Sequence, residues 1–341
     1  MEQVGIGLIG AGTWGGVHAQ TYTNYHRSAL LAVCDQNEER AQRMATLYGV
    51  RHVYTNHREM LLNPDIRAVA VATPDFAHRE IIEEAARAGK DILVEKPLAT
   101  THEDLARIAE VIAATGVRLM VDFHCRWSPP LVVARNDIES GHLGKIVSAY
   151  LRLNNTLFVP TKMLSWSKTS SILWFLGSHA IDTLRYLMGD EITRVFSVSS
   201  AGVLSARGID VPDIYQTILE FRQGGIAMLE NHWIMPDSSP QLNDFKVNIL
   251  GSEGMFNLDL THNQMIERYL AGTSDRPDVL DSPLIRGRHV GFIHESIKHF
   301  VDCVADGKQP AVTVEDGIRV SKVILAIMES AKTREPVEVT Y

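Results

Sequence analysis

Three glycines near the start of the chain, Gly10, Gly12 and Gly15, stand in the spacing G-x-G-x-x-G directly behind an apolar run that begins at Val4. That order reads as strand, tight turn and helix start. Each glycine has its own reason: Gly10 for the turn, Gly12 for the approach of backbone to a pyrophosphate, and Gly15 for close packing of helix on strand. Phosphates would rest on the open N–H groups and positive dipole end of the helix that follows, with Thr13 and Trp14 inside the turn. Glycine-rich turns also occur without any ligand, so the triplet needs support. It comes from Asp35, twenty residues past Gly15, which closes the run Ala29-Leu30-Leu31-Ala32-Val33-Cys34. A carboxylate at the end of a second strand is where ribose hydroxyls are held. It would repel a 2′-phosphate, and Gln36 and Asn37 supply no arginine to offset that, so NAD is expected in preference to NADP.

Two further places could carry chemistry. Lys96, in Glu95-Lys96-Pro97, follows the apolar run Ile92-Leu93-Val94, at the strand edge where open α/β sheets keep their ligands, and Pro97 stiffens its exit. His179 lies at the expected start of a helix with Asp182 three residues on, on the same face. The simpler reading of a lone lysine is a solvated surface cation, and of a lone histidine a satisfied core residue. A polar site shared by His179 and Asp182 is more economical than two separately buried polar groups.

The elements that must position these residues fall into two grammars. Apolar runs from Val4, Ala29, Ala68 and Ile92 alternate with helical patterns at 16–23, 37–48, 78–88 and 101–115, several closed by a glycine. This is a repeated βαβ arrangement with a parallel sheet, a Rossmann domain of residues 1–122. Beyond it a helix at 128–140 behind Pro129 and Pro130 leads into strands at 146–153, 195–203, 214–221, 226–233, 245–250 and 255–258, interrupted by a helix at 178–188. Strands at that spacing are mostly antiparallel. Residues 123–341 therefore read as an α+β substrate and oligomerisation domain with a large open sheet. Helices at 290–305 and 314–332 close it and are free to pack back on the first domain, after a loop from 272 to 287.

Composition narrows the partners. With 341 residues, 45% hydrophobic and 22% charged, the chain can bury two domain cores. A formal net charge of −8 and no basic run argue against nucleic acid and against an electrostatic membrane contact. Cys34, Cys125 and Cys303 are too few and too scattered for a disulfide framework or a zinc site, so no metal is expected. No stretch approaches a membrane span, and the glycine turn leaves no room for a leader after Met1, which points to the cytoplasm.

Taken together, the glycine turn with His18 after it, Ala72-Thr73-Pro74 with His78, Gly89-Lys90 leading into Glu95-Lys96-Pro97, Arg126 with Pro129 and Pro130, and Gly177-Ser178-His179-Ala180-Ile181-Asp182 resemble the Gfo/Idh/MocA family, the glucose-fructose oxidoreductase and inositol dehydrogenase group. The resemblance spans essentially the whole length. It implies hydride transfer between a nicotinamide cofactor and a hydroxyl-bearing carbon of a sugar, sugar derivative or inositol. Such chemistry needs a base for the hydroxyl proton and a group that stabilises alkoxide character. Lys96 would polarise the hydroxyl, His179 would exchange its proton, and Asp182 would orient His179 or the substrate. Thr73, Pro74, His78, Glu95, Lys96 and Pro97 join Gly10, Gly12, Thr13, Trp14, Gly15 and Asp35 as implied cofactor residues. Arg126, Trp127, Trp166 and Trp174 join His179 and Asp182 as substrate residues, tryptophan rings covering the C–H side of a sugar. Trp233, Asn231, His232 and Asp213 are weaker candidates, and for each tryptophan a core position is as good a reading. Many family members carry an aspartate four residues before the histidine; here that position is Phe175, and Thr169-Ser170-Ser171 replace the preceding glycines. Two rival readings are an NAD-dependent glycoside hydrolase that oxidises its sugar transiently, and a dinucleotide-binding regulator without catalysis. A homodimer or homotetramer through the second domain's sheet is expected, because the strand at 226–233 is apolar on both faces.

Overall fold

A computed structural model of the chain describes residues 3–261, 266–270 and 272–341. In chain order its elements are β1 (Val4–Ile9), α1 (Thr13–Asn24), β2 (Ser28–Cys34), α2 (Glu38–Tyr48), β3 (His52–Tyr54), α3 (His57–Leu61), β4 (Ala68–Val71), α4 (His78–Arg87), β5 (Asp91–Val94), α5 (His102–Thr115) and β6 (Leu119–Val121). Then come α6 (Pro129–Glu139), β7 (Ile146–Asn155), α7 (Ser178–Met188), β8 (Ile192–Ser200), β9 (Ile214–Phe221), β10 (Ile226–His232), β11 (Asn243–Gly251) and β12 (Met255–Asp259). The chain closes with hairpins β13 (Arg268–Leu270) with β14 (Thr273–Asp275) and β15 (Leu284–Ile285) with β16 (Arg288–His289), then α8 (Phe292–Asp306), α9 (Val314–Thr333) and β17 (Val337–Glu338).

The chain divides into two compact units: residues up to His124 with Asp281–Ile318, and Cys125–Leu280 with Arg319–Tyr341. In the first, six parallel strands lie in the order β3-β2-β1-β4-β5-β6. Every residue of β1 and β4 is buried, because a parallel strand covered by helices on both faces has no solvent side. Strand order reverses between β1 and β4, the crevice where such sheets hold ligands. The edge strand β3 is three residues long and half-exposed, and the sequence reading contains no strand there, since it lacks an apolar run.

The second unit holds a seven-stranded mixed sheet, β12-β11-β7-β10-β9-β8-β17, in which only β7 and β10 pair in parallel. Its strands alternate. Ala227, Leu229, Leu219, Phe221, Val247 and Ile249 are buried on one face. On the other, Phe196, Ile218 and Met228 stand in register across β8, β9 and β10, each at least 40% exposed.

Residues 281–318 depart from the expected boundaries. The sequence reading places everything after 122 in the second domain, with the closing helices free to pack back. In the structure β15, β16, α8 and the first turn of α9 group with the nucleotide unit. Ile293, Ile297, Phe300, Val301 and Val304 make an apolar face on α8, and its His294 Nδ1 lies 2.7 Å from Thr21 Oγ1 of α1. Periodicity reveals such a face but not the surface that covers it. The expected loop at 272–287 also carries short strand pairings. Among the described residues no helix is long and apolar enough to cross a membrane.

Candidate active site

In the first unit the glycine turn is built by exclusion. Gly10 has φ +105°, and a Cβ on it would lie 2.4 Å from Ala72 O. A Cβ on Gly15 would lie 2.0 Å from Gly10 O, so helix and turn approach too closely for any side chain. Gly12 differs, because a Cβ there meets nothing within 4 Å. Its space opens outward, and Gly12 and Thr13 are exposed. Helix α1 begins with no side-chain cap and no acidic residue in its first turn, which leaves its amide donors and dipole to an anion. Asp35 is held against this turn: Oδ2 accepts from Ala11 N and Oδ1 from Asn37 N, both at 2.8 Å. Across the crevice Thr73 Oγ1 is buried without a hydrogen-bond partner. An exposed glycine cradle, an uncapped helix start, a carboxylate at the end of β2 and an unsatisfied hydroxyl fit the diphosphate and ribose of a dinucleotide.

His78 is not placed as the cofactor contact the resemblance implies. It is fully buried, with Nδ1 2.7 Å from Pro97 O and Nε2 3.1 Å from Thr73 O. The ring ties the loop after β4 to the loop after β5. Burial lowers its pKa, partly offset by those carbonyls and by Asp75 and Glu95.

Lys96 is 8% exposed, just beyond β5, and the Lys96–Pro97 peptide is cis. Behind it lies a buried polar cluster that the sequence reading does not contain. His18 Nε2 donates to Glu95 Oε1 at 2.9 Å, and His18 Nδ1 lies 3.2 Å from the Tyr22 hydroxyl. Asp122 follows β6, and because Val94 pairs with Val121, Glu95 and Asp122 occupy matched positions on adjacent strand ends. Ser296 of α8 donates to Asp122 Oδ1. The available signal was two apolar runs, each ending in a carboxylate. His124 beside it stacks between Trp14, at 5.5 Å between ring centroids, and Phe292, at 5.9 Å. Burial pushes its pKa down to about 4, with Glu95 opposing and Lys96 and His18 reinforcing the shift.

In the second unit α7 is preceded by a π-helical turn at Leu173–Gly177. His179 is 5% exposed, and its Nδ1 lies 3.7 Å from Cys125 Sγ. Asp182 is fully buried and differs from its expected use. Arg126 Nε donates to Oδ2 at 2.9 Å and Arg126 Nη2 to Oδ1 at 2.6 Å, a two-point guanidinium clamp. The Arg126 guanidinium also lies over the Tyr186 ring, 5.6 Å from its centroid. Asp182 thus anchors α7 to Arg126, which commits its Nε and Nη2 donors to this pair. Trp174 and Trp233 are buried as core residues, whereas Trp127 and Trp166 are half-exposed. Asp213 caps the backbone of Val203 and Leu204, and His232 is half-buried with its backbone N–H donating to Asn154. Phe175 packs against Trp233 at 6.1 Å between ring centroids. Among the described residues, the polar atoms of this unit that are buried without a hydrogen-bond partner include Asn155 Oδ1, Thr183 Oγ1, Asn231 Oδ1 and Trp233 Nε1. Asn155 and Thr183 had no distinguishing signal in the sequence.

Comparison with known proteins agrees with this geometry. The family description "Oxidoreductase family, NAD-binding Rossmann fold" matches residues 4–123, and "Oxidoreductase family, C-terminal alpha/beta domain" matches 135–339. The scyllo-inositol 2-dehydrogenase (NAD(+)) of Bacillus subtilis is 29% identical over 342 residues, covering 99% of this chain and 96% of that protein. A levoglucosan dehydrogenase solved with NADH and levoglucosan superposes with a TM-score of 0.85 at 26% identity, over all of both chains. GenD2 from gentamicin A biosynthesis, solved with NAD, gives 0.88 at 26% identity, over 100% of this chain and 97% of that one. The glycine cradle, the two-unit architecture and these matches together place the chain in the Gfo/Idh/MocA oxidoreductase family, as an NAD-dependent dehydrogenase.

Proposed function

We propose that this enzyme oxidises a secondary hydroxyl of a sugar, sugar derivative or inositol, with Lys96 and His179 as its catalytic residues. The observation that carries the reading is Lys96, an ammonium held nearly out of solvent just past the C-terminal end of the parallel strand β5. NAD, when bound, supplies the hydride acceptor. Lys96 donates to the reacting hydroxyl and stabilises its alkoxide character; His179 takes the proton at a ring nitrogen. The Arg126–Asp182 pair holds the first turns of α7 and so fixes where that nitrogen points. Asn155, Thr183 and Asn231, whose buried oxygens lack partners, are suited to bind hydroxyl donors, and the half-exposed Trp127 and Trp166 rings suit the C–H side of a sugar. Asp35 prefers the free 2′-hydroxyl of NAD. The relatives named above favour neither the hydrolase nor the regulator. A panel of inositols, polyols and sugars followed at the NADH absorbance tests the reading. Sustained NADH with at least one, lost in Lys96→Met and His179→Ala, supports it. Bound NAD with no NADH from any of them overturns it.

The exposed row Phe196, Ile218 and Met228, with Ile226 beside it, suits a self-association surface of a homodimer or homotetramer. Light scattering of wild type and Met228→Lys tests this; a monomeric wild type refutes it. The acidic charge and three free, buried cysteines support a cytoplasmic location, which cell fractionation tests.

A further inference from the structure

The cluster behind Lys96 holds more acid than its partners can neutralise. Glu95 and Asp122 are both buried, and one atom each of His18, Glu95 and Asp122 lies within 4.8 Å of the others. Each carboxylate has one engaged oxygen, Glu95 Oε1 to His18 and Asp122 Oδ1 to Ser296. Each also has one buried oxygen with no hydrogen-bond partner, Glu95 Oε2 and Asp122 Oδ2. Two carboxylates this close in a desolvated site resist ionising together, so the second proton leaves at a higher pH than an isolated carboxyl would lose it. The hydrogen bonds indicate which one keeps its charge. Glu95 shares its hydrogen bond with a ring nitrogen of His18, whereas Asp122 receives only a neutral hydroxyl from Ser296.

We propose that Glu95 and Asp122 hold one proton between them at neutral pH, resident on Asp122, so that the Lys96 ammonium faces one buried negative charge rather than two. Asp122, Glu95 and His18 are then positioning residues for Lys96, an assignment that rests on the catalytic reading of Lys96 given above. The groups that act on Asp122 are His18 and Tyr22 on α1, Glu95 and Lys96 after β5, and Ser296 on α8. Burial, then the charge of Glu95, raises the Asp122 pKa to about 7, against the opposing pull of His18, Ser296 and Lys96. Burial alone would also raise that of Glu95, but the hydrogen bond with His18 and the charge of Lys96 help hold it below its ordinary value. The same two acids push the buried Tyr22 phenol well above its usual range, after burial itself.

Infrared difference spectroscopy of the whole enzyme across pH 5 to 9, without substrate, reads the proton directly. A protonated carboxyl band that fades with a midpoint near pH 7 in wild type, is lost in Asp122→Asn, and moves to a higher midpoint in Ser296→Ala supports the proposal. Absence of the band in wild type, or its persistence in Asp122→Asn, overturns it. So does a stoichiometric divalent metal in the purified protein, because a cation would then balance the pair in place of the proton. If Asp122→Asn does not fold, Ser296→Ala alone decides, since an unshifted midpoint excludes Asp122. For the link to Lys96, the ratio of Ser296→Ala to wild-type kcat/KM is followed with pH. A ratio that changes several-fold across the shifted midpoint supports positioning, and a constant ratio overturns it. Failure of the catalytic reading is recognisable separately, because the infrared band does not depend on turnover.

Discussion

The turn around Gly10–Gly15 and the start of α7 hold their functional groups by different means. In the glycine turn the constraints are backbone sterics over a few residues: a Cβ at position 15 would sit 2.0 Å from Gly10 O. At the start of α7 the constraint is an ion pair between side chains 56 residues apart, Arg126 and Asp182. The turn therefore suits a ligand whose phosphates do not vary. The second unit carries unpartnered polar atoms and aromatic faces on a clamped scaffold, so its chemistry can change one side chain at a time without loss of the fold.

Four measurements would break or sharpen this contrast. The largest effect is expected for His179→Ala, which should lose roughly 10²-fold to 10⁴-fold in kcat at the NADH absorbance. Near-wild-type turnover would move the proton-accepting role out of the second unit.

Next is Arg126→Ala, which removes the two-point clamp from the fully buried Asp182 carboxylate and leaves it the longer pairing with Arg185 Nη1 at 3.8 Å. Denaturant unfolding should show a loss of about 3–5 kcal/mol, with Arg126→Lys recovering part of it. A loss within about 0.5 kcal/mol, the range of ordinary surface substitutions, would show that the ion pair does not hold α7.

The glycine turn is then tested within itself. Gly15→Ala should destabilise by about 1–3 kcal/mol through overpacking. Gly12→Ala, whose Cβ meets nothing, should change stability by less than about 0.5 kcal/mol yet weaken NAD binding by calorimetry. Equal stability losses in both would mean that the glycines serve folding alone.

The smallest effect is expected from pH. His294, between Thr21 and Ser282, has its pKa pushed down to about 4 by burial, then by Lys298, His289 and His18, with Glu295 opposing. The folded value lies below the unfolded one of about 6.5, so the folded chain binds fewer protons in that window. Its contribution to stability is full above pH 6.5 and falls as pH drops toward 4. His294→Gln should flatten the melting temperature against pH across that window; an unaltered slope would place the acid sensitivity elsewhere.

The sequence by itself determined whatever depends on neighbours along the chain. The G-x-G-x-x-G spacing, the acid closing the second strand and the apolar runs mark a Rossmann unit, since turn geometry and strand burial are set within about twenty residues. Helix α7 and strand β9 were legible to the residue from their periodicity. Tertiary structure decided where long-range partners went. Asp182 shares a helical face with His179, yet its carboxylate oxygens are clamped by Arg126 from a different segment. His78 carries a family signature, yet its ring is spent on two carbonyls. Asp122 ended an unremarkable run of three residues, and only the register of β5 against β6 set it beside Glu95. The physical reason is common to all three: a side chain's type states which bonds it can make, and burial, set by the packed fold, leaves only some of the candidate partners within reach.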